Sequence, residues 1–293
     1  METPAVFAEA ATPVERLRRR PPNFALGRFM GDDSLPLLEP DQRWSTWPDT
    51  EGSASRGPEP YPEWLVTTGS AIDTELGLIK PGKEASLHLI ERRATDDSAV
   101  CLMGAKRYKP SVTGWTLYAQ GRDLRSARDK RALKKMSAYG RAVAQSEWAT
   151  TEFKFLRLFW SNAVPVPYPV QITGAEILLE WIGDDAGHSC PQLHDAEVSL
   201  SQAEQLYEEV RAAIVTMAGL GYAHGDLSAY NMLVRDGHIV IIDLPQTVDL
   251  VKNPMGVPLL ERDCDNVCQY FARHGVAVDS GALFSEAISQ AWG

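Results

Sequence analysis

The stretch His224-Gly225-Asp226-Leu227-Ser228-Ala229-Tyr230-Asn231 holds the decisive spacing of this chain, an aspartate with an asparagine five positions on. A loop carboxylate can orient an acceptor hydroxyl and take its proton. An amide oxygen is a hard ligand suited to Mg2+. Twelve residues after Asn231, Asp243 closes the apolar run Ile239-Val240-Ile241-Ile242. A carboxylate ending a buried strand is costly without a partner, and a cation bridging phosphates would compensate it. Phosphoryl transfer needs these parts: held phosphates, divalent metal and an oriented acceptor. A surface loop of ordinary polar residues is the competing reading, and it does not explain why loop, hairpin and acidic strand end follow in this order. Asp226 is therefore the candidate catalytic residue, and Asn231 and Asp243 are the candidate metal ligands.

Upstream, Lys106 ends a strand-like run in Gly104-Ala105-Lys106-Arg107-Tyr108. Its ammonium can hold nucleotide phosphates as a point charge. Glu152 is an independent check. On an ideal helix at about 100° per residue, Trp148, Phe155, Leu156 and Phe159 fall within roughly a third of the circumference. Glu152 lies inside that arc, and Thr150, Lys154, Arg157 and Ser161 lie opposite. An inward-facing glutamate needs a cationic partner, and Lys106 is the natural one. Gly82-Lys83-Glu84-Ala85-Ser86 supplies a glycine, backbone N–H groups and a hydroxyl between two strands. Gly82, Lys83 and Ser86 are the phosphate-loop candidates there, although neither GxGxxG nor a Walker A motif is present.

The coarse order of elements surrounds these residues. Residues 1–62 are rich in Pro, Gly, Ser and charge, which predicts a disordered or loosely attached segment, with Trp44 and Trp47 able to dock. Strands are expected at Leu76–Ile79, Ser86–Ile90 and Ala99–Tyr108, the first two separated by a turn at residues 80–84. Residues 109–135 are polar and basic and predict a mobile connection. A helix follows over about 141–161. Val164-Pro165-Val166-Pro167 then forces extended chain, and a strand fits Glu176–Ile182. Ser201 and Glu204 suggest a capping box opening a helix whose Leu206, Val210, Ile214 and Met217 share one face, with Gly219 and Gly221 ending it. Asp236-Gly237 predicts a hairpin between Met232–Val234 and Ile239–Ile242. A last helix is expected over 258–273, with Leu260, Cys264, Val267 and Phe271 inward. A β-rich N-lobe (63–182) thus precedes a helical C-lobe (183–293), an α+β architecture.

Composition narrows the classes. The chain has 293 residues, 44% hydrophobic and 23% charged, as in globular proteins. A net charge of −10 disfavours indiscriminate nucleic-acid binding, despite basic runs at Arg16–Arg20 and Arg122–Lys135. No apolar run reaches membrane-spanning length and no signal-peptide core opens the chain, so a cytoplasmic protein with no membrane partner is expected. Cys101, Cys190, Cys264 and Cys268 form no CxxC pair, and the histidines show no zinc spacing.

At this point the residues match a family. The chain resembles the RIO family of atypical protein kinases, and looks most like its bacterial members. The match is carried by Gly82-Lys83-Glu84-Ala85, Ala105-Lys106-Arg107-Tyr108-Lys109, Leu179 to Asp184, His224 to Asn231, Ile242 to Asp249, and Leu259-Leu260-Glu261-Arg262-Asp263. The resemblance implies a bilobal kinase-like fold with a reduced helical C-lobe, without the usual activation segment or peptide-docking helices. Only 67 residues follow Asp226, which agrees. It also implies ATP and Mg2+ (or Mn2+) as cofactors, Asp226 as the catalytic aspartate, Asn231 and Asp243 on the metal, Lys106 on the phosphates, and Glu180 and Ile182 as hinge positions for adenine. Residues 109–135 correspond to the family's flexible loop. Two departures stand out. Lys80-Pro81 precedes Gly82 where the family has Ser or Thr, and Gly104 replaces a bulky residue, which would loosen the lysine strand.

The leading expectation is an ATP- and Mg2+-dependent serine/threonine protein kinase, capable of autophosphorylation, acting on an unknown protein substrate. One alternative is an ATPase switch forming an aspartyl-phosphate at Asp243 and acting on an assembling particle such as a ribosomal subunit. Another is an aminoglycoside-type small-molecule phosphotransferase, against which stand Gly-Lys-Glu-Ala, Pro245-Gln246 and the short tail. A pseudokinase fits poorly with Lys106, Asp226, Asn231 and Asp243 all present.

Overall fold

Alternating apolar residues in the N-terminal half build one antiparallel sheet. The computed structural model describes residues 37–50, 52–109 and 138–293, with the backbone alone for Ser53 and 138–144. The basic runs within 1–36 and 110–135 lie outside the described residues. The six strands are β1 (Gln42–Trp44), β2 (Ala71–Pro81), β3 (Ala85–Ala94), β4 (Val100–Tyr108), β5 (Pro169–Thr173) and β6 (Glu176–Glu180), in the order β1-β2-β3-β4-β6-β5. One helical turn, α1 (Gly52–Ser55), follows β1.

Strand side chains alternate between faces, so pairing register decides what meets what. Leu87 pairs with Lys106 and Leu89 with Gly104, which puts these four positions on one face. His88, Ile90, Met103 and Ala105 take the other, where Ile90, Met103 and Ala105 pack with Trp47, Val66 and Leu178. The pairing of β4 with β3 runs unbroken from Val100 to Tyr108, so Gly104 does not loosen the strand as expected. A Cβ there would lie 3.1 Å from Leu87 Cδ1 and 3.9 Å from Trp181 Cε3. These two side chains occupy the space the missing one leaves.

The expected loose attachment through residue 62 is corrected for its described part. β1 pairs with the outer edge of β2. Trp47, 4% exposed, packs edge-on against Tyr61 with Arg56 over its ring at 4.6 Å. Behind it Arg92 is fully buried and donates to Asp73 Oδ1 (2.6 Å) and Oδ2 (3.0 Å) and to Gln171 Oε1 (3.0 Å). Gln171 in turn donates to Thr46 Oγ1 (2.7 Å), which ties the segment to the sheet. Such contacts lie far apart in sequence, so local composition misses them.

α2 (Ala138–Trp160) packs on the Lys106 face of the sheet. Trp148, Phe155, Leu156 and Phe159 are buried, as the apolar arc predicts, and Lys154 is exposed. Each such side chain contributes about 1.5–3 kcal/mol by leaving water. β5, unforeseen in the sequence, forms a hairpin with β6 through Gly174.

Beyond β6 the chain turns helical. α3 (Leu200–Gly219) buries Leu206, Val210, Ile214 and Met217. Its capping box is Ser199–Gln202, not Ser201–Glu204. Ser199 has the extended backbone of a cap residue, whereas Ser201 already lies in the first turn. β7 (Tyr222–Ala223) leads to the loop carrying Asp226 and a single 3-10 turn, Ala229–Asn231. β8 (Met232–Arg235) and β9 (His238–Ile241) form the expected hairpin, with Asp236 and Gly237 both at positive φ. A second 3-10 turn, Leu244–Gln246, precedes β10 (Val248–Asp249), which pairs with β7. α4 (Gly256–Arg273) buries Leu260, Cys264, Val267 and Phe271. α5 (Ser280–Trp292), capped by Asp279 and packed on α3 and α4, was not foreseen. The result is a bilobal α+β fold. Among the described residues no helix is long and apolar enough to cross a membrane.

Candidate active site

Lys106 projects from the cleft face of β4 into a set of acidic groups. Its Nζ donates to Glu152 Oε1 at 2.7 Å and to Asp243 Oδ1 at 2.9 Å. The predicted Lys106–Glu152 pair is therefore present, and a strand, α2 and the end of the β8–β9 hairpin meet at one ammonium. Glu152 is only 2% exposed. Burial alone would lower the Lys106 pKa, but Asp243 and Glu152 outweigh it and raise it, so the lysine stays charged. Lys106 in turn holds the Asp243 carboxyl below its ordinary value, against burial.

Asp243 has φ 68 and ψ 61, a left-handed conformation unusual for a non-glycine. The following amide, Leu244 N–H, donates to Glu152 Oε1 at 3.3 Å. This backbone turn aims the carboxylate at Lys106 rather than along the strand.

The candidate catalytic loop, residues 224–231, is held from behind by α4. Asp263, 1% exposed, accepts the Gly225 N–H at 2.7 Å and the Leu227 N–H at 2.9 Å. Arg262 Nη2 donates to the Gly225 carbonyl, and Asn266 donates to the Leu227 carbonyl at 3.1 Å. His224 donates from Nε2 to the Ile242 carbonyl (3.1 Å), while its Nδ1 accepts the Asp226 N–H (3.3 Å). These two contacts assign its tautomer and couple the loop to the chain entering Asp243. The Asp226 side chain is thereby left half exposed, with Arg262 Nη2 3.7 Å from Oδ1. Burial raises its pKa, and Arg262 partly offsets that. Asn231 donates to the Asp226 carbonyl (2.8 Å), which leaves its amide oxygen to act as a ligand.

The donor set fits Mg2+. Asn231 and Asp243 offer hard oxygens, and among the described residues no group of three or more His, Cys, Asp or Glu forms a cage. Mg2+ is ordinarily held by one or two protein oxygens plus substrate phosphates and water.

The other candidates separate. Gly82 sits in the β2–β3 turn, where a Cβ would lie 2.5 Å from the Ala85 carbonyl oxygen, so only glycine fits. Its carbonyl accepts from Lys109 Nζ (2.7 Å), and Lys83 is exposed at the tip. Ser86 is a correction. Pairing puts it on the face opposite Lys106, with its Oγ 3.1 Å from His88 Nε2, and His88 pairs with Glu75 at 2.7 Å. One residue of alternation takes its hydroxyl away from the Lys106 face. The sequence reading also passed over Glu84, whose pKa is raised by burial and then by Asp243 and Asp226, which places its charge in their field. It passed over Tyr108, Arg262 and Asp263 too; all three stand in the quoted motifs, but no spacing assigned them contacts.

At the hinge, the Glu180 side chain accepts from Tyr168 N–H (3.0 Å) and Arg235 Nη1 (2.6 Å), so it braces the lobes instead of facing a ligand. The Ile182 carbonyl is taken by Cys190 N–H (2.9 Å). Gly183 is required, since a Cβ would lie 2.2 Å from the His188 carbonyl oxygen.

Fold and site together define a protein-kinase-like phosphotransferase. The family profile described as RIO domain matches residues 97–283. A RIO-type serine/threonine-protein kinase Rio1 of Haloferax volcanii is 30% identical over 222 residues, covering 75% of this chain and 70% of that protein. The human serine/threonine-protein kinase RIO1 is 30% identical over 216 residues, covering 73% of this chain but 36% of its own length. A solved Rio2 kinase–ADP/Mg2+–phosphoaspartate complex from Chaetomium thermophilum superposes with a TM-score of 0.53 at 20% identity, covering 73% of this chain and 61% of that one. The chain belongs to the RIO family of protein kinases.

Proposed function

We propose that this chain transfers the γ-phosphate of ATP to a serine or threonine hydroxyl of a protein, itself included, by a Mg2+-assisted mechanism. The observation that carries this reading is Lys106 Nζ held between Glu152 Oε1 (2.7 Å) and Asp243 Oδ1 (2.9 Å). It fixes one positive charge beside the candidate metal-binding carboxylate, across the cleft between the lobes. Lys106 holds the phosphates, and the turn carrying Gly82 and Lys83 covers them; the Gly82 N–H is spent on the Ala85 carbonyl (2.9 Å), which shapes that turn, so the Lys83 N–H is the one offered. The Ile182 N–H and the Glu180 backbone read adenine at the hinge. Asp226 orients the acceptor hydroxyl and takes its proton as the phosphoryl group leaves ADP. Asn231 and Asp243 hold Mg2+, or Mn2+ in its place, which offsets negative charge on the phosphates. The lobes are 63–182 and 183–293, the setting is the cytoplasm, and the bacterial-type character drawn from the motifs belongs to the same reading.

The test is incubation with γ-labelled ATP and Mg2+, alone and with candidate acceptors such as proteins of an assembling ribosomal particle. Wild type, Asp226→Ala and Asp243→Ala are run in parallel. Acid-stable label on wild type, lost in both variants, is expected. Hydroxylamine-labile label would mark an aspartyl-phosphate instead, and equal label in all three would sink the enzymatic reading.

A further inference from the structure

A carboxylate buried as deeply as Glu152 needs more than one donor, because each oxygen has lone pairs to satisfy. One of its oxygens, Oε1, takes Lys106 Nζ and the Leu244 N–H. The other, Oε2, is taken by the hydroxyl of Tyr108. Tyr108 stands two positions after Lys106 on β4, so strand alternation puts both side chains on the same face. Its ring also faces the ammonium, with Lys106 Nζ 5.5 Å from the centroid. Its backbone carbonyl accepts from Gln145 of α2 as well. One residue therefore touches both members of the ion pair and the helix that carries one of them.

We infer that Tyr108 is a positioning residue, whose hydroxyl and ring keep Glu152 and Lys106 assembled and so set where the ammonium meets the phosphates. The inference rests on the reading of Lys106 as the phosphate-holding lysine. Among the described residues, without Tyr108, Glu152 is held to β4 through Lys106 alone, and α2 can draw it away by breaking that pair. With Tyr108, withdrawal would strand a second buried donor as well, which is costly. Burial and the Glu152 charge push the Tyr108 pKa well up, so the phenol keeps its proton and stays a donor at working pH. A tyrosine serving only to fill the core would need the ring and not the hydroxyl.

Tyr108→Phe separates these roles, since it keeps the ring and removes one oxygen. It is compared with wild type, Glu152→Ala and the double variant, reading kcat and KM for ATP, and MgADP affinity by calorimetry. Loss of one hydrogen bond to a charged group predicts an about tenfold weaker MgADP affinity and an about tenfold lower kcat/KM in Tyr108→Phe. In the Glu152→Ala background the same change should have less than about a twofold effect, because the group it acts through is gone. An unchanged Tyr108→Phe, or an equal loss in both backgrounds, would overturn the inference. Absence of turnover in wild type would count against the proposed function, while the MgADP cycle would still decide the role of Tyr108.

Discussion

The two sides of the cleft hold their chemistry in different ways. On the sheet side, Lys106 is tied by charge to Glu152 and, across the cleft, to Asp243, so the ammonium proposed to hold the phosphates is itself what holds the cluster together, with Tyr108 and the Leu244 N–H as further donors to Glu152. On the helical side, the loop around Asp226 is tied through its backbone to Asp263, Arg262 and Asn266 of α4. There the groups that shape the loop and the group that faces the acceptor are separate residues. The difference teaches that on the helical side chemistry can be removed without structure, whereas on the sheet side the two are lost together.

The sharpest test of that separation is Asp226→Ala. General-base loss should lower kcat by about 10²–10⁴-fold. The side chain is half exposed, so the melting temperature should stay near that of wild type. A large fall in melting temperature would break the comparison. Asp263→Ala should do the reverse. It strands two buried N–H groups and should cost about 2–4 kcal/mol in urea unfolding, with activity lost as the loop shifts.

Asp263 also predicts a pH dependence. Burial pushes its carboxyl up to about 6 from an ordinary 3.8. The charged form is thus disfavoured in the folded protein, and this group removes stability as pH rises from about 4 through about 6. Unfolding curves across that window should show the loss in wild type and not in Asp263→Asn.

On the sheet side, Lys106→Ala should raise KM for ATP by at least about tenfold and lower the melting temperature in the same variant, because Glu152 loses its cation. An unchanged melting temperature would show that Tyr108 and Leu244 suffice for Glu152. A smaller effect is expected from Arg262→Ala. Burial raises the Asp226 pKa and Arg262 is among the groups that partly offset this, so its loss should move the acid limb of the kcat profile to higher pH. The smallest is Arg235→Ala. Its partly exposed pair with Glu180 should contribute about 1 kcal/mol to unfolding, weakening with salt.

How much was legible follows the range of the contacts. Glu152 could be placed inward because one helix period settles it. Asp236-Gly237 announced its hairpin because two residues determine that turn. Ser86 was misassigned because a strand's facing depends on register with β4, which local sequence does not state. The capping box slipped by two residues because Ser199 and Ser201 are both plausible caps until the backbone is seen. β1 and its anchor on Arg92, Asp73 and Gln171 join residues 19 to 125 apart in the chain, and composition pointed the wrong way.

The sequence by itself determined the chemistry: a carboxylate, an amide and a second carboxylate at spacings that suit phosphoryl transfer, with a lysine and an inward glutamate to match. Side-chain type and periodicity are enough for that, because they are local. Only the tertiary structure decided what supports each group: Asp263 behind the Asp226 loop, Tyr108 beside Glu152, Arg235 across the hinge, and Ser86 on the far face. Those assignments depend on which buried donor finds which acceptor, and that pairing exists only once distant segments have packed.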